Sequence, residues 1–310
     1  MELIILIIVA LLSFFIIAKS AGYMLLAITN YAKKTGMSHF LIGFLVIAIG
    51  TSLPELSTGI MSAIVGKNVL SLGNVIGANI LDVTLILGIN LIVMKKIKNI
   101  GFVINRSFYL LYIIILLLLI LGIDGVISRI DGLILLIIFS MYIISLIRKE
   151  HELGKIKKSI KFKHVIVDML TFLFALTALL LATRWLVFAS IEMSGILDIP
   201  IFLIGLIFVS ITTTMPEFMV SIKSALKKQN NISFGNLIGA VSINSSLVIG
   251  VSALINPIVF EFSQFFRPLL FMITSVFITS MIFRKKIITS EHGFILVIIY
   301  VLFIFTEIVF

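Results

Sequence analysis

The sequence predicts an all-α polytopic membrane protein of ten transmembrane helices, arranged as two inverted five-helix repeats. Three observations predict it. The chain of 310 residues is 61% hydrophobic and only 12% charged, with a mean hydropathy of +1.28, where a soluble domain carries about 25% charged residues. Ten apolar runs are long enough to span a bilayer. Residues 41–90 also align with 203–252 without a gap, with 19 of 50 positions identical.

The runs lie at about 3–29, 39–65, 70–93, 103–122, 131–147, 165–190, 199–226, 232–255, 266–283 and 292–309. The first is too long for a cleaved signal peptide and lacks a basic start, so it reads as a helix that stays. The basic, polar stretch Arg148 to Lys163 separates a first five-helix repeat (1–148) from a second (164–310), leaving 149–163 as a cytoplasmic linker. The net charge of +10 is explained by topology rather than by nucleic acid. The loops after spans 1, 3, 5, 7 and 9, with the span ends beside them, carry nineteen Lys and Arg, and the opposite side carries Lys67, Arg129 and Arg267. The positive-inside rule then makes those loops cytoplasmic and sends both termini outward, a multi-pass arrangement expected in a plasma membrane. An odd number of spans per half forces the halves to insert in opposite senses. The chain has no cysteine, which excludes disulfides, thiol catalysis and thiolate metal sites. The expected partners are the lipid bilayer and inorganic cations, with no cofactor, no nucleic acid and no protein partner evident.

The chemistry gathers in two stretches, Gly50-Thr51-Ser52-Leu53-Pro54-Glu55 and Thr212-Thr213-Thr214-Met215-Pro216-Glu217. Proline breaks a helical ladder, and a carboxylate in hydrocarbon costs a few kcal/mol, so two such interruptions at matching places point to a site. Of fourteen acidic residues, only Glu55, Asp82 and Glu217 lie deep within spans, with no basic residue near them there. The repeat partner of Asp82 is Asn244. Carboxylates, an amide and hydroxyls without histidine or cysteine suit a hard cation, Ca²⁺ or Na⁺, rather than zinc or copper. Breaking the helix at Pro54 frees carbonyls near Thr51 and Ser52, and Pro216 does the same near Thr213 and Thr214. The candidate ion-binding set is therefore Glu55, Glu217, Asp82, Asn244, Thr51, Thr213, Ser52 and Thr214. Glu55, Glu217, Thr51 and Thr213 are the ligands expected for Ca²⁺, an assignment that the family resemblance below implies. Asn74, Asn236, Ala48 and Ser210 extend the set.

The glycine runs Gly73-Asn74-Val75-Ile76-Gly77-Ala78 and Gly235-Asn236-Leu237-Ile238-Gly239-Ala240 read as close-packing faces, not as dinucleotide loops. Lys19 and Arg184 lie within spans 1 and 6. Snorkelling toward an interface is the plain reading, and a bias on the movement of those helices is the sharper one. A cation channel would draw its pore from oligomer symmetry rather than from a repeat within one chain. An intramembrane hydrolase would need a nucleophile beside the carboxylates, and none is evident.

GTSLPE with GNVIGANILDVTLILG, repeated as TTTMPE with GNLIGAVSINSSLVIG, resembles the repeats of the Ca²⁺/cation antiporter superfamily, closest to the prokaryotic sodium/calcium exchangers. The resemblance implies a core of spans 2, 3, 7 and 8, with spans 1 and 6 as a sliding gate. It implies Ca²⁺ and Na⁺ binding by Glu55 and Glu217, backbone oxygen from Thr51 and Thr213, hydroxyls from Ser52 and Thr214, and Asp82 and Asn244 on the following helices. The implied activity is secondary active exchange of Ca²⁺ for Na⁺ by alternating access, with H⁺ coupling as the alternative. Three departures matter. Asp82 and Asn244 exchange the repeat positions seen in archaeal exchangers, which keeps the total charge. Ala78 and Ala240 stand where the family usually has serines that serve sodium. Thr212 replaces a usual glycine.

Overall fold

The computed structural model describes residues 2–34, 47–98, 102–151 and 162–309, and they form a mostly helical polytopic membrane fold. Helix α1 (Glu2–Lys34) opens the chain. The second predicted span is broken: α2 (Ile47–Thr51) stops at Ser52 and α3 (Leu53–Ile64) restarts with Pro54 in its first turn. Proline is tolerated there because a first-turn N–H has no intrahelical partner to lose. The third run consists of α4 (Val69–Leu81), a π-helical turn at Asp82–Ile86, and α5 (Leu87–Met94). Helices α6 (Phe102–Leu121), α7 (Arg129–His151) and α8 (Phe162–Leu197) follow.

The seventh run comprises α9 (Ile201–Leu203), a π-helical turn at Ile204–Val209 and α10 (Ser210–Thr213). It then bends by 44° into α11 (Met215–Leu226). The eighth repeats the third: α12 (Asn230–Ile243), a π-helical turn at Asn244–Val248, and α13 (Ile249–Ile255). Helices α14 (Phe262–Phe283) and α15 (Ser290–Val309) complete the described chain.

Among the described residues, six helical runs are long and apolar enough to cross a membrane, and the bent pair Ile201–Thr213 with Met215–Leu226 makes a seventh. Of the remaining predicted spans, 103–122 and 131–147 fall on α6 and α7, while the first part of 39–65 lies outside the described residues, as does most of the predicted linker 149–163. Helices α7 and α8 overrun the expected limits of 147 and 165 and take both ends of that linker into helix. The 36 residues of α8 span about 54 Å, well beyond a hydrocarbon thickness of about 30 Å. Helix α8 therefore tilts or projects past the bilayer.

Burial separates centre from periphery. The windows in Val69–Met94 and Ile232–Ile255 are 83% and 78% buried, against 28% and 22% in α1 and α8. Helices α1 and α8 make the most extensive pairing in the molecule and turn residues such as Phe15 and Phe174 outward, an apolar surface suited to lipid.

The glycines explain how the centre closes. A Cβ on Gly77 would fall 1.9 Å from the Leu206 carbonyl oxygen, and one on Gly73 2.2 Å from that of Phe202, so α4 meets the start of the seventh run backbone to backbone. Gly205 answers with 2.3 Å to the Leu70 carbonyl. Further out, Gly88 of α5 abuts Gly293 of α15, and Gly250 of α13 abuts Gly132 of α7. The last helix of each half thus packs on a central helix of the other half.

Two short antiparallel pairs, not foreseen from the sequence, repeat that exchange. Strand β1 (Lys96–Lys98) pairs with β4 (Ile287–Thr289), Lys96 opposite Thr289. Strand β2 (Val126–Ile127) pairs with β3 (Ile258–Val259), Val126 opposite Val259. At two or three residues, they are too short to leave a periodic signal.

Candidate functional site

The site is built on two matching breaks. Ser52 (φ −79°, ψ 4°) and Thr214 (φ −77°, ψ 0°) hold nearly the same backbone conformation immediately before α3 and α11. Pro54 and Pro216 have no N–H, so the Gly50 and Thr212 carbonyls lose the donor four residues ahead. The ladder resumes two residues after each proline, with Leu56 N–H donating to the Ser52 carbonyl at 3.0 Å and Phe218 N–H to that of Thr214 at 3.1 Å, so the Thr51 and Thr213 carbonyls also lack a backbone donor. The Thr51 and Thr213 carbonyls, expected from the sequence, are thus free together with those of Gly50 and Thr212, whereas the Ser52 and Thr214 carbonyls are engaged.

Glu55 and Glu217 enter in the first turn of α3 and α11, where a helix N-terminus favours a negative charge. Asp82 and Asn244 open the π-helical turns of the third and eighth runs. Such turns widen the backbone and recur at functional sites. All four side chains are fully buried, at 0% exposure. No hydrogen bond reaches either carboxylate oxygen of Glu55, Asp82 or Glu217, or either amide atom of Asn244. The three carboxylates are electrostatic neighbours, and Thr213 lies beside Glu55 as Thr51 does beside Glu217. An unpaired buried charge costs several kcal/mol, so six bare carboxylate oxygens are a donor set for a cation or for protons.

The threonines join one stretch to the other. Thr51 Oγ1 donates to Asn236 Oδ1 at 3.1 Å, and Thr213 Oγ1 donates to Asn74 Oδ1 at 3.0 Å. Ser52 Oγ is buried without a partner, whereas Thr214 Oγ1 donates to the Ser210 carbonyl at 2.5 Å. The Ala48 and Ser210 carbonyls already accept from Ser52 N–H and Thr214 N–H at 3.1 and 3.0 Å. Ser210 Oγ is spent on the Leu206 carbonyl at 2.6 Å. Of the predicted set, then, the acids, Asn244 and Ser52 are bare, while Thr214, Ala48 and Ser210 are engaged. Among the described residues no three acidic or histidine side chains converge tightly enough to hold a metal by themselves, so hydroxyl, amide or backbone oxygens would complete any shell.

Several polar residues of the central helices escaped the sequence reading. Asn79 Nδ2 donates to Ser245 Oγ at 2.8 Å, and Asn236 Nδ2 donates to Ser221 Oγ at 3.3 Å. Serine in an apolar helix carries no periodic signature. A position-by-position comparison of the two repeats is the signal that would have singled out Ser221.

The chain is similar in sequence and fold to known proteins. A family model described as "Sodium/calcium exchanger protein" matches residues 5–148 and 167–309. The chain is 25% identical to the sodium/calcium exchanger MaX1 of Methanosarcina acetivorans, over 96% of each chain. It is 29% identical to the inner membrane protein YrbG of Escherichia coli, over 78% of this chain and 77% of that one. Among solved structures, the sodium-calcium exchanger NCX_Mj aligns at 24% identity with a TM-score of 0.69, over 97% of this chain and 98% of the other. The H⁺/Ca²⁺ exchanger CAX aligns at 18% identity with a TM-score of 0.78, over 96% and 81%. With both stretches and nearly all helices inside the matched regions, the chain belongs to the sodium/calcium exchanger family.

Proposed function

We propose that this chain is a secondary active antiporter that exchanges Ca²⁺ for Na⁺ by alternating access, with the ions held at the Glu55, Asp82 and Glu217 carboxylates. One observation carries the reading: six fully buried carboxylate oxygens without a single hydrogen-bond donor. Three acids kept bare in a low-dielectric centre have a use if a cation binds among them and leaves again. Glu55 and Glu217, completed by Thr51 and Thr213, would hold the divalent ion, and Na⁺ would compete for overlapping oxygens. Binding is then mutually exclusive, and exclusive binding is exchange. The sodium/calcium exchanger MaX1, alike over nearly its whole length, supports the same assignment.

The reading includes ten spans in two inverted repeats, 1–148 and 164–310. Four matched pairs of features support it. They are the Thr51–Asn236 and Thr213–Asn74 bonds, the glycine contacts 88–293 and 250–132, the strand pairs, and the π-helical turns at 82 and 244. Inverted repeats with interrupted helices characterise transporters that rock about a central site. Helices α1 and α8 would be the moving gate. The excess of Lys and Arg in the odd-numbered loops supports an orientation with those loops in the cytoplasm and both termini outside, in a prokaryotic plasma membrane.

H⁺ in place of Na⁺ is the second reading. Ala78 and Ala240 are fully buried where serine would add a hydroxyl ligand for a monovalent ion, and bare carboxylates accept protons without it. Uptake of ⁴⁵Ca²⁺ into proteoliposomes under an imposed Na⁺ gradient, then under a pH gradient, separates the two. Glu55→Gln or Glu217→Gln should abolish uptake in either case, and retained flux would refute the site.

A further inference from the structure

The internal repeat pairs Ser221 with Gly59, and that difference breaks the symmetry of the site. In one half, the Asn236 amide is fully engaged. Its Oδ1 accepts from Thr51 Oγ1 at 3.1 Å and its Nδ2 donates to Ser221 Oγ at 3.3 Å. Ser221 is itself tied in, since its backbone carbonyl accepts from Ser233 Oγ at 3.2 Å, and Ser233 Oγ accepts from Asn90 at 3.1 Å. In the other half, Asn74 Oδ1 accepts from Thr213 Oγ1 at 3.0 Å. Its Nδ2, in a residue of 0% exposure, has no partner, because glycine stands where Ser221 would be. Ser71 Oγ, the counterpart of Ser233, is likewise buried and unpartnered.

The two ends of a side-chain amide have nearly the same shape, so its hydrogen bonds decide which end faces a neighbour. The bond to Ser221 keeps the Asn236 oxygen on Thr51. Thr51 Oγ1 then always finds an acceptor in Asn236, although the Ala48 carbonyl lies within reach at 3.2 Å, and the asymmetry between the halves resides in the two amides. Nothing holds Asn74 in that way. Turned over, it would present its NH₂ to Thr213 and release the Thr213 proton toward another acceptor, such as the Ser210 carbonyl at 3.4 Å.

We propose that Ser221 and Gly59 set the ion specificity of the site: Ser221 positions Asn236 and Thr51 as a fixed oxygen pair, and Gly59 leaves Asn74 and Thr213 as an adjustable pair that rearranges when one class of cation replaces another. This rests on reading the buried carboxylates as a cation site. A fixed side sets affinity, and an adjustable side lets a divalent and a monovalent ion, or a proton, take turns among the same oxygens.

The test compares Gly59→Ser with Gly59→Ala, and Ser221→Ala with the native chain. A Cβ at position 59 meets the side-chain atoms Ser71 Oγ and Val248 Cγ1 at 3.1 Å and the Val248 carbonyl oxygen at an ordinary 3.6 Å, so both variants fit after small shifts, and only serine adds the hydroxyl. With ¹⁵N-asparagine labelling, the two side-chain NH₂ signals are assigned by their loss in Asn74→Asp and Asn236→Asp. The Asn236 NH₂ should be slow to exchange and that of Asn74 fast. Gly59→Ser should slow Asn74, Gly59→Ala should not, and Ser221→Ala should release Asn236. In ⁴⁵Ca²⁺ uptake, Ser221→Ala should raise KM about fivefold, the worth of one neutral hydrogen bond, with little change in kcat. Equal exchange of the two amides in the native chain, or identical spectra for the two Gly59 variants, would overturn the proposal. These spectra require no transport, so an absence of ⁴⁵Ca²⁺ flux in the native protein would instead refute the exchanger reading.

Discussion

Replacing Gly77 with alanine tests whether the close approach of α4 to the seventh run holds the site together. The added Cβ would lie 1.9 Å from the Leu206 carbonyl oxygen, 2.8 Å from its carbon and 2.8 Å from Ser210 Oγ. Real Cβ contacts essentially never fall below 3.0 Å, so the two backbones must part by more than 1 Å. Neither atom of the carbonyl can rotate away as a side chain would. Overpacking a well-filled core costs about 1–3 kcal/mol, and a backbone-to-backbone clash belongs at the upper end of that range. The shift also acts on the site, because Asp82 lies five residues beyond Gly77 and Ser210 four beyond Leu206. The expected result is a lower midpoint in thermal unfolding of the detergent-solubilised protein, together with loss of ⁴⁵Ca²⁺ uptake. Gly22→Ala and Gly195→Ala are the controls, since a Cβ at either position meets nothing within 4 Å. If Gly77→Ala unfolds and transports like the controls, the packing argument is wrong.

Two further outcomes follow from the same geometry. Asn68→Ala removes donations from Nδ2 to the Asn256 and Pro257 carbonyls, leaving both without that donor, and should lower stability by about 1–3 kcal/mol in thermal unfolding. Lys19→Met and Arg184→Met should leave uptake rate and ion dependence unchanged, because both side chains are exposed and form no ion pair among the described residues. A changed Na⁺ or pH dependence in either variant would revive the idea that these cations bias the movement of α1 and α8.

The legible part of this protein is the part that violates expectation for a membrane helix. Pro54, Glu55 and Asp82 are conspicuous in hydrocarbon because each costs free energy there, and their repeat partners confirm the pattern by position alone. The glycine runs were readable as packing faces, and Gly73 and Gly77 meet backbone as expected, whereas the close approach at Gly205 was not read from the sequence. Less legible is anything that depends on which oxygen finds which hydrogen. Whether Thr214 spends its hydroxyl on Ser210 while Ser52 keeps its own free depends on a few tenths of an ångström. The π-helical turns at 82 and 244 are hidden too, because one extra residue in a turn leaves apolar periodicity almost intact over so short a stretch.

The exchange of terminal helices has a consequence for how such a chain is made. Gly88 in α5 waits for Gly293, which is synthesised 205 residues later. At about 5–20 residues per second, the matching surface arrives some 10 to 40 s after α5 has left the ribosome. During that interval the first half has its acids and its broken helix but lacks its cover. Assembly of the centre is therefore a late event that engages both halves together, and truncation within α15 would leave a complete-looking ion site on an unclosed protein.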